Sequence, residues 1–140
     1  MPREAMTPFP TTSSEGWVAV VDDDASIRQA LARVLSVSGI TARTFGSAEQ
    51  YLAQAGSEEP ACLILDVHLP GRNGFALRDE LEARGTAPPI IFISALDEKS
   101  LLRLSQRPEP PHYFQKPFDS RALLAIVRQH IGVEAVSKAG

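Results

Sequence analysis

The sequence predicts an α/β protein with a doubly wound, five-stranded parallel sheet and five helices. Short apolar runs alternate with segments of helical periodicity five times along the chain, which is typical of a parallel sheet covered by helices on both faces. The 140 residues suit one domain with a single core region. Four of the apolar runs end in polar or charged residues, and the carboxyl ends of parallel strands form the ligand crevice of such sheets.

The first strand and helix follow a proline-containing start. The run 18–21 predicts the strand, Asp24 is placed to cap a helix that begins near Ala25, and Gly39 is placed to end it. The spacing i, i+4, i+7, i+8 predicts a buried face on this helix, made of Ile27, Leu31, Val34 and Leu35.

The second strand is predicted over residues 41–45, with a helix capped by Ser47 and ended by Gly56. The run 62–65 predicts the third strand, and the helix that follows it stops by Gly85. The faces expected to be buried are Ala48, Tyr51, Leu52 and Ala55 on the second helix, and Gly74, Leu77 and Leu81 on the third.

The fourth strand is predicted over residues 89–93, and residues 99–104 have a helical pattern. This helix is expected to end by about Gln106 and to be followed by a stiff, extended connection, because three prolines follow and proline cannot continue a helix. Those prolines are Pro108, Pro110 and Pro111.

The fifth strand, residues 112–115, leads to a helix capped by Asp119 or Ser120 that is expected to bury Leu124, Val127 and Ile131. The predicted domain spans residues 16–132. Residues 1–15 contain three prolines and lack periodicity, so they are interpreted as a flexible N-terminal tail. Residues 133–140 are interpreted as a C-terminal tail.

Composition excludes several functions. The net charge is −3 and the basic residues are scattered, so the sequence has no nucleic-acid footprint. The single cysteine, Cys62, cannot form an internal disulfide, which fits a reducing compartment. No segment has the pattern of a signal peptide or a membrane span, and a cytoplasmic protein that contacts no membrane is therefore expected.

The polar residues at the predicted strand ends point to phosphoryl chemistry. Asp22 and Asp23 follow the first strand, Asp66 ends the third, Ser94 ends the fourth and Lys116 follows the fifth. Adjacent carboxylates repel one another unless a metal ion or a lysine neutralises them. Acids, a hydroxyl and a lysine at one edge of a sheet describe a site for Mg²⁺ and a phosphoryl group.

Four motifs carry a family resemblance: VVDDD, LILDVHLPGRNG, FISA and YFQKPF, in this order. Asp22, Asp66, Ser94 and Lys116 follow one another at spacings of 44, 28 and 22 residues. In motifs and spacing the chain resembles the receiver domain of two-component response regulators from about Trp17 to Ile131. Residues 44–52 are most similar to receivers of LuxR/FixJ-type transcriptional regulators. The resemblance implies a flavodoxin-like sheet with strand order 2-1-3-4-5.

The resemblance also implies a role for each acid. Asp66 would be the phosphoacceptor, receiving its phosphoryl group from a histidine kinase or a histidine phosphotransferase. Mg²⁺ or Mn²⁺ would be held directly by Asp23, Asp66 and the backbone carbonyl of His68, while Asp22 would act through water. The alternative interpretations without a metal or phosphoryl role are a solvated first helical turn for Asp22 and Asp23, and a simple strand-end acid for Asp66.

Other residues would serve the phosphoryl group or the switch. Lys116 is expected to pair with Asp66 at rest and to precede a cis bond to Pro117. Ser94 would donate its hydroxyl to a phosphoryl oxygen, unless it is only the cap of the next helix. Tyr113 occupies the position of the family's aromatic switch, unless it is a half-buried packing residue. His112 and His130 have no metal-ligand spacing in the sequence and are interpreted as structural.

The predicted function is a phosphorylation-driven switch rather than an enzyme, with only self-catalysed transfer and loss of the phosphoryl group. Its output surface would be the fourth helix, fifth strand and fifth helix, contacting a downstream protein or a second copy. The nine residues after Ile131 leave no room for a DNA-binding output, so a stand-alone receiver or a fragment of a longer regulator is expected. One alternative is a haloacid-dehalogenase-like phosphatase, although His68 stands where those enzymes carry a second acid. The other is a receiver that works without phosphorylation.

Overall fold

The computed structural model describes residues 16–55, 58–108 and 112–131, in which five strands alternate with five helices. All strand pairs are parallel, and the sheet order is β2-β1-β3-β4-β5, as predicted. The strands are β1 (Val18–Val21), β2 (Ala42–Phe45), β3 (Cys62–Asp66), β4 (Ile90–Ser94) and β5 (Tyr113–Gln115). The helices are α1 (Ala25–Val37), α2 (Ala48–Gln54), α3 (Gly74–Arg84), α4 (Glu98–Ser105) and α5 (Ser120–Ile131).

The central strands are buried on both faces, which explains their continuous apolar runs. Every residue of β1 and β3 is buried, whereas the edge strands β2 and β5 are largely half-buried or exposed. Alternate residues of β3 serve two cores: Leu63 and Leu65 pack into one, while Cys62 and Ile64 pack into the other. The sheet is therefore a rigid support whose carboxyl edge carries the polar residues.

Side-chain caps fix the beginnings of the helices. The Asp24 carboxylate accepts the Ser26 N–H at 2.8 Å, and the Ser47 hydroxyl accepts the Gln50 N–H at 3.0 Å, as predicted. Asn73 caps α3 and Asp97 caps α4, and neither cap was predicted from the sequence. Gly85 ends α3 in the left-handed conformation at φ 74°, which glycine adopts without strain.

The buried helix faces differ in detail from the predicted ones. In α5, Leu123 and Val127 are buried, whereas Leu124 and Ile131 are only partly buried. Leu123 and Val127 are four residues apart and lie on one line facing the sheet. In α1, Leu31 and Leu35 are buried as predicted, and Ile27 and Val34 are partly buried.

The end of α4 agrees with the prediction. The helix ends at Ser105, and Gln106 adopts a left-handed conformation with φ 60°. The predicted stiff connection falls largely on residues 109–111, which lie outside the described residues, as do Gly56 and both predicted tails. No helix in the described part of the chain has the length and apolar character needed to cross a membrane.

Candidate functional site

The parallel register brings four strand ends to one edge of the sheet. Val21 pairs with Leu65, so Asp22, directly after β1, lies beside Asp66, the last residue of β3. Asp66 in turn pairs with Ile93 on β4. The N–H of Lys116 donates to the Ser94 carbonyl at 2.7 Å, which brings the end of β5 alongside.

Three carboxylates converge at this edge. Asp22, Asp23 and Asp66 each offer an oxygen within 4.8 Å of the others. Asp22 and Asp66 are buried, whereas Asp23 is exposed. Carboxylate oxygens at this spacing, one of them open to solvent, are the hard ligands that Mg²⁺ prefers. The residues present therefore fit a magnesium ion.

Asp22 and Asp23 have different surroundings although they are neighbours in sequence. The Oδ1 of Asp22 accepts the Asp24 N–H at 2.9 Å, and its Oδ2 accepts a hydrogen bond from Lys116 Nζ at 3.0 Å. Within the described ranges, the Asp23 carboxylate has no hydrogen-bond donor. Asp23 is thus available to bind a cation directly, whereas both oxygens of Asp22 already have partners.

Lys116 is nearer to Asp22 than to Asp66, its expected partner. Its Nζ lies 3.0 Å from Asp22 Oδ2 and 3.6 Å from Asp66 Oδ1. Asp22 is fully buried, and a buried carboxylate without a partner is costly, so the closer contact goes there. Burial opposes the charge on Lys116, but the hydrogen bond to Asp22 and the two carboxylate charges outweigh it and raise the pKa of Lys116.

The surroundings of the Asp66 carboxyl disfavour its ionised form when no metal ion is bound. Burial, and then the negative charge of Asp22, raise the pKa of Asp66 to about 7, although Lys116 and the His68 N–H oppose this shift. The His68 N–H donates to Asp66 Oδ1 at 3.3 Å, and the His68 side chain is exposed. A bound cation would therefore stabilise the ionised carboxylate.

Ser94 and Tyr113 lie on the neighbouring strands β4 and β5. Ser94 is fully buried, and its hydroxyl oxygen accepts the Leu96 N–H at 3.0 Å. The alternative interpretation of Ser94 as the α4 cap is wrong, because Asp97 caps that helix. Tyr113 is partly buried against the core, opposite Phe92. The Lys116–Pro117 bond is cis, as predicted.

Gly74 brings α3 against the strand end that carries Asp66. Its N–H donates to the Val67 carbonyl at 2.8 Å. A Cβ at this position would lie 2.5 Å from the Asp66 carbonyl oxygen, so no side chain fits there without displacing backbone. Helical periodicity predicts that Gly74 lies on a buried helix face but does not connect it with the site. The pair Asn73–Gly74 at the start of the predicted helix is the sequence signal that could have indicated it.

Arg28 was also missed. Its Nη1 donates to the backbone carbonyl of Asp22 at 2.7 Å. Helical periodicity places Arg28 on α1 but gives no indication that its side chain returns to the end of β1.

His112 and His130 lie elsewhere, with ring centroids 6.3 Å apart. His112 precedes β5 at the end opposite to Lys116, and His130 is in the last turn of α5. Burial and then His112 lower the pKa of His130. Their interpretation as structural residues stays a prediction.

The fold of the chain matches that of a solved structure. A solved structure of the Francisella response regulator 1452 receiver domain superposes with a TM-score of 0.75 at 23% identity, covering 85% of this chain and 98% of that one. This likeness shows the fold, a flavodoxin-like parallel sheet.

Sequence comparisons define the family. The sequence model of one protein family, the response regulator receiver domain, matches residues 18–128. NtrC of Salmonella typhimurium, a DNA-binding transcriptional regulator, is 34% identical over 116 residues, which are 83% of this chain and 25% of NtrC. FixJ of Azorhizobium caulinodans, a transcriptional regulatory protein, is 32% identical over 118 residues, 84% of this chain and 56% of FixJ. The chain belongs to the response regulator receiver domain family of two-component signalling, and it spans a quarter to just over half of these relatives.

Proposed function

We propose that Asp66 accepts a phosphoryl group from a phosphohistidine of a histidine kinase or histidine phosphotransferase, and that this modification switches a protein-binding surface. The observation that carries the proposal is the position of Asp66. Its carboxylate is buried at a strand end beside Asp22, Asp23 and Lys116, where acids and a cation meet at one edge of the sheet.

The chemistry is a phosphoryl transfer between two nucleophiles. A carboxylate oxygen of Asp66 attacks the phosphorus in line, a P–O bond forms, and the P–N bond to the histidine breaks. The departing imidazole takes the electron pair of that bond. Such transfers have loose transition states and depend on positioning and charge neutralisation rather than on acid–base catalysis. The chain itself would thus supply the groups for its own phosphorylation and dephosphorylation without acting on another substrate.

The acids would hold a divalent ion, Mg²⁺ or Mn²⁺, that neutralises charge on the phosphoryl oxygens. Asp23, Asp66 and the His68 backbone carbonyl would be its direct protein ligands. Asp22 would act through water, which fits the hydrogen bonds that both of its carboxylate oxygens already make. Lys116, within 3.6 Å of Asp66, would follow the new negative charge onto a phosphoryl oxygen.

The switch would pass from Ser94 to Tyr113. Both lie on the β4–β5 pair, in which Phe92 is opposite Tyr113 and Ser94 is opposite Gln115. A phosphoryl group that draws the Ser94 hydroxyl inward would open space for the Tyr113 ring. The face of α4, β5 and α5 would then change its affinity for a downstream protein or a second copy of the chain.

The rival functions have less support. A haloacid-dehalogenase-like phosphatase would carry a second acid two residues after its nucleophile, and His68 stands there. The family match over residues 18–128 favours a receiver instead. A receiver that works without phosphorylation has no reason to keep three convergent carboxylates beside a lysine. A cytoplasmic location stays a prediction.

The test is phosphorylation of the purified chain with acetyl phosphate and Mg²⁺. We expect a stable label that hydroxylamine releases, as it does for an acyl phosphate, and no label in Asp66→Asn. This variant keeps the shape of the side chain but has no carboxylate nucleophile. Label retained in Asp66→Asn, or a label resistant to hydroxylamine, would refute the assignment. Continuous release of phosphate without a labelled protein would indicate the phosphatase.

A further inference from the structure

At the β1–α1 junction, the Asp23 carboxylate has to point towards the proposed metal site. Asp23 is the exposed acid of the three, and in the described part of the chain no hydrogen bond holds its side chain. Its direction is therefore set by its backbone, and in particular by the planar peptide that joins Asp22 to Asp23.

A side chain of α1, the helix that follows this peptide, holds the peptide in place. The Asp22 N–H donates to the Phe45 carbonyl at 3.1 Å, which continues the ladder to β2. The Asp22 carbonyl lies beyond the end of β1, and its partner is the Arg28 guanidinium at 2.7 Å. A short, charge-assisted hydrogen bond of this kind is stronger than one between neutral groups. It fixes the plane of the Asp22–Asp23 peptide from the first turn of α1.

The guanidinium itself is confined. A Cβ on Gly46 would lie 3.4 Å from Arg28 Nη1 and 3.3 Å from Gln50 Oε1, so the space beside Gly46 is already used by these two side chains. The Gly46 N–H also donates to Gln50 Oε1. Arg28 is partly buried between the β1–α1 and β2–α2 junctions, and it forms no ion pair with a carboxylate in the described residues.

We propose that Arg28 is a positioning residue, which fixes the Asp22–Asp23 peptide so that the Asp23 carboxylate is preorganised for the divalent cation. This inference rests on the proposed function, since it assumes that the acids bind Mg²⁺. Arg28 touches neither the phosphoryl group nor the cation. Its effect reaches the site through the backbone of the acid pair.

Charge alone would have the opposite effect. A guanidinium near three carboxylates repels an incoming cation, so its removal would tighten Mg²⁺ binding if Arg28 acted through its charge. If it acts by positioning, its removal weakens binding. Loss of a residue that orients a metal ligand typically lowers metal affinity by about tenfold or more. The sign of the change therefore separates the two roles.

The experiment is a calorimetric Mg²⁺ titration of the full chain and of Arg28→Met, Arg28→Lys and Arg33→Met. Arg33 is the matched control, because it is exposed on the same helix and its loss removes the same charge. We expect about tenfold weaker binding in Arg28→Met, partial recovery in Arg28→Lys, which retains a cationic donor, and unchanged binding in Arg33→Met. Unchanged or tighter binding in Arg28→Met would overturn the inference.

Three further outcomes must be distinguished. If the unsubstituted chain binds no Mg²⁺, the metal scheme of the proposed function fails, and the inference fails with it. If the chain binds Mg²⁺ and only the Arg28 comparison fails, the proposed function stands. If Arg28→Met does not fold, Gly46→Ala replaces it, since the added methyl would press on the guanidinium. Weaker binding there would support the inference, and unchanged binding would overturn it.

Discussion

Asp22 and Asp23 show how two identical neighbouring residues acquire different chemistry. Asp22 is buried and bonded through both carboxylate oxygens, whereas Asp23 faces solvent. We expect Asp23→Ala to weaken Mg²⁺ binding more than Asp22→Ala, because one would be a direct ligand and the other a water-mediated one. Calorimetry measures the two affinities. Unchanged affinity in Asp23→Ala would contradict the coordination scheme.

The Asp66 carboxyl gives a pH dependence whose sign can be stated. Its pKa in the folded protein is raised to about 7, mainly by burial, above the ordinary carboxyl value. The folded state thus binds the proton more tightly than the unfolded chain does. This contribution to stability is present at low pH and is lost as the pH rises through about 7.

We therefore expect the metal-free protein to lose stability between pH 5.5 and pH 8, and Asp66→Asn to lose less. Each pKa unit corresponds to about 1.4 kcal/mol, so the difference should be visible as a shift of several degrees in the unfolding temperature. Thermal unfolding in EDTA at both pH values measures it. Glu59→Gln is the control, since Glu59 is an exposed acid near the opposite end of β3. Equal pH slopes in Asp66→Asn and the unsubstituted chain would contradict the prediction.

At the scale of elements, two arginines fasten the end of α4 to α3. The Arg107 guanidinium donates to both carboxylate oxygens of Glu82, at 2.6 and 3.2 Å. It also donates to Asp79 Oδ1 at 2.8 Å. Beneath it, the buried Arg78 donates to the Ser105 carbonyl at 3.3 Å. Arg107, the second residue after α4, thus anchors the end of the helix to its neighbour.

We expect Arg107→Gln to speed amide hydrogen exchange in the last turn of α4 while changing global stability by only about 0.5–1 kcal/mol, because the ion pairs are partly exposed. Exchange mass spectrometry measures the local effect, and added salt should reduce the difference. Arg103→Gln is the matched control, because Arg103 is exposed in the last turn of α4 itself. The same change in both variants would show that Arg107 has no anchoring role.

At the scale of the whole molecule, the sheet connects the site to the proposed output face. Lys116 and Ser94 are joined by a backbone hydrogen bond, and Tyr113 lies two positions before the end of β5. We expect beryllofluoride with Mg²⁺, a mimic of the phosphoryl group, to change amide exchange in α4 and β5. Asp66→Asn with the same additives is the control. Changes confined to the loops that contact Asp66 would leave the phosphoacceptor in place but remove the proposed output surface.

The sequence by itself determined the alternating elements, the sheet order through its family resemblance, and the residues at the strand ends. These features depend on local periodicity, capping chemistry and motif spacing, all of which are present in a linear sequence. The Asp24 and Ser47 caps and the end of α4 were predicted correctly for the same reason.

Only the tertiary structure decided which groups touch. Lys116 lies closer to Asp22 than to Asp66, across 94 residues of sequence. Arg28 holds the Asp22 carbonyl, and in α5 Leu123 is buried whereas Leu124 is only partly buried. Such choices depend on ångström-level distances between packed elements. Hydrogen bonds and ion pairs respond to those distances, whereas periodicity specifies only the face of a helix or strand.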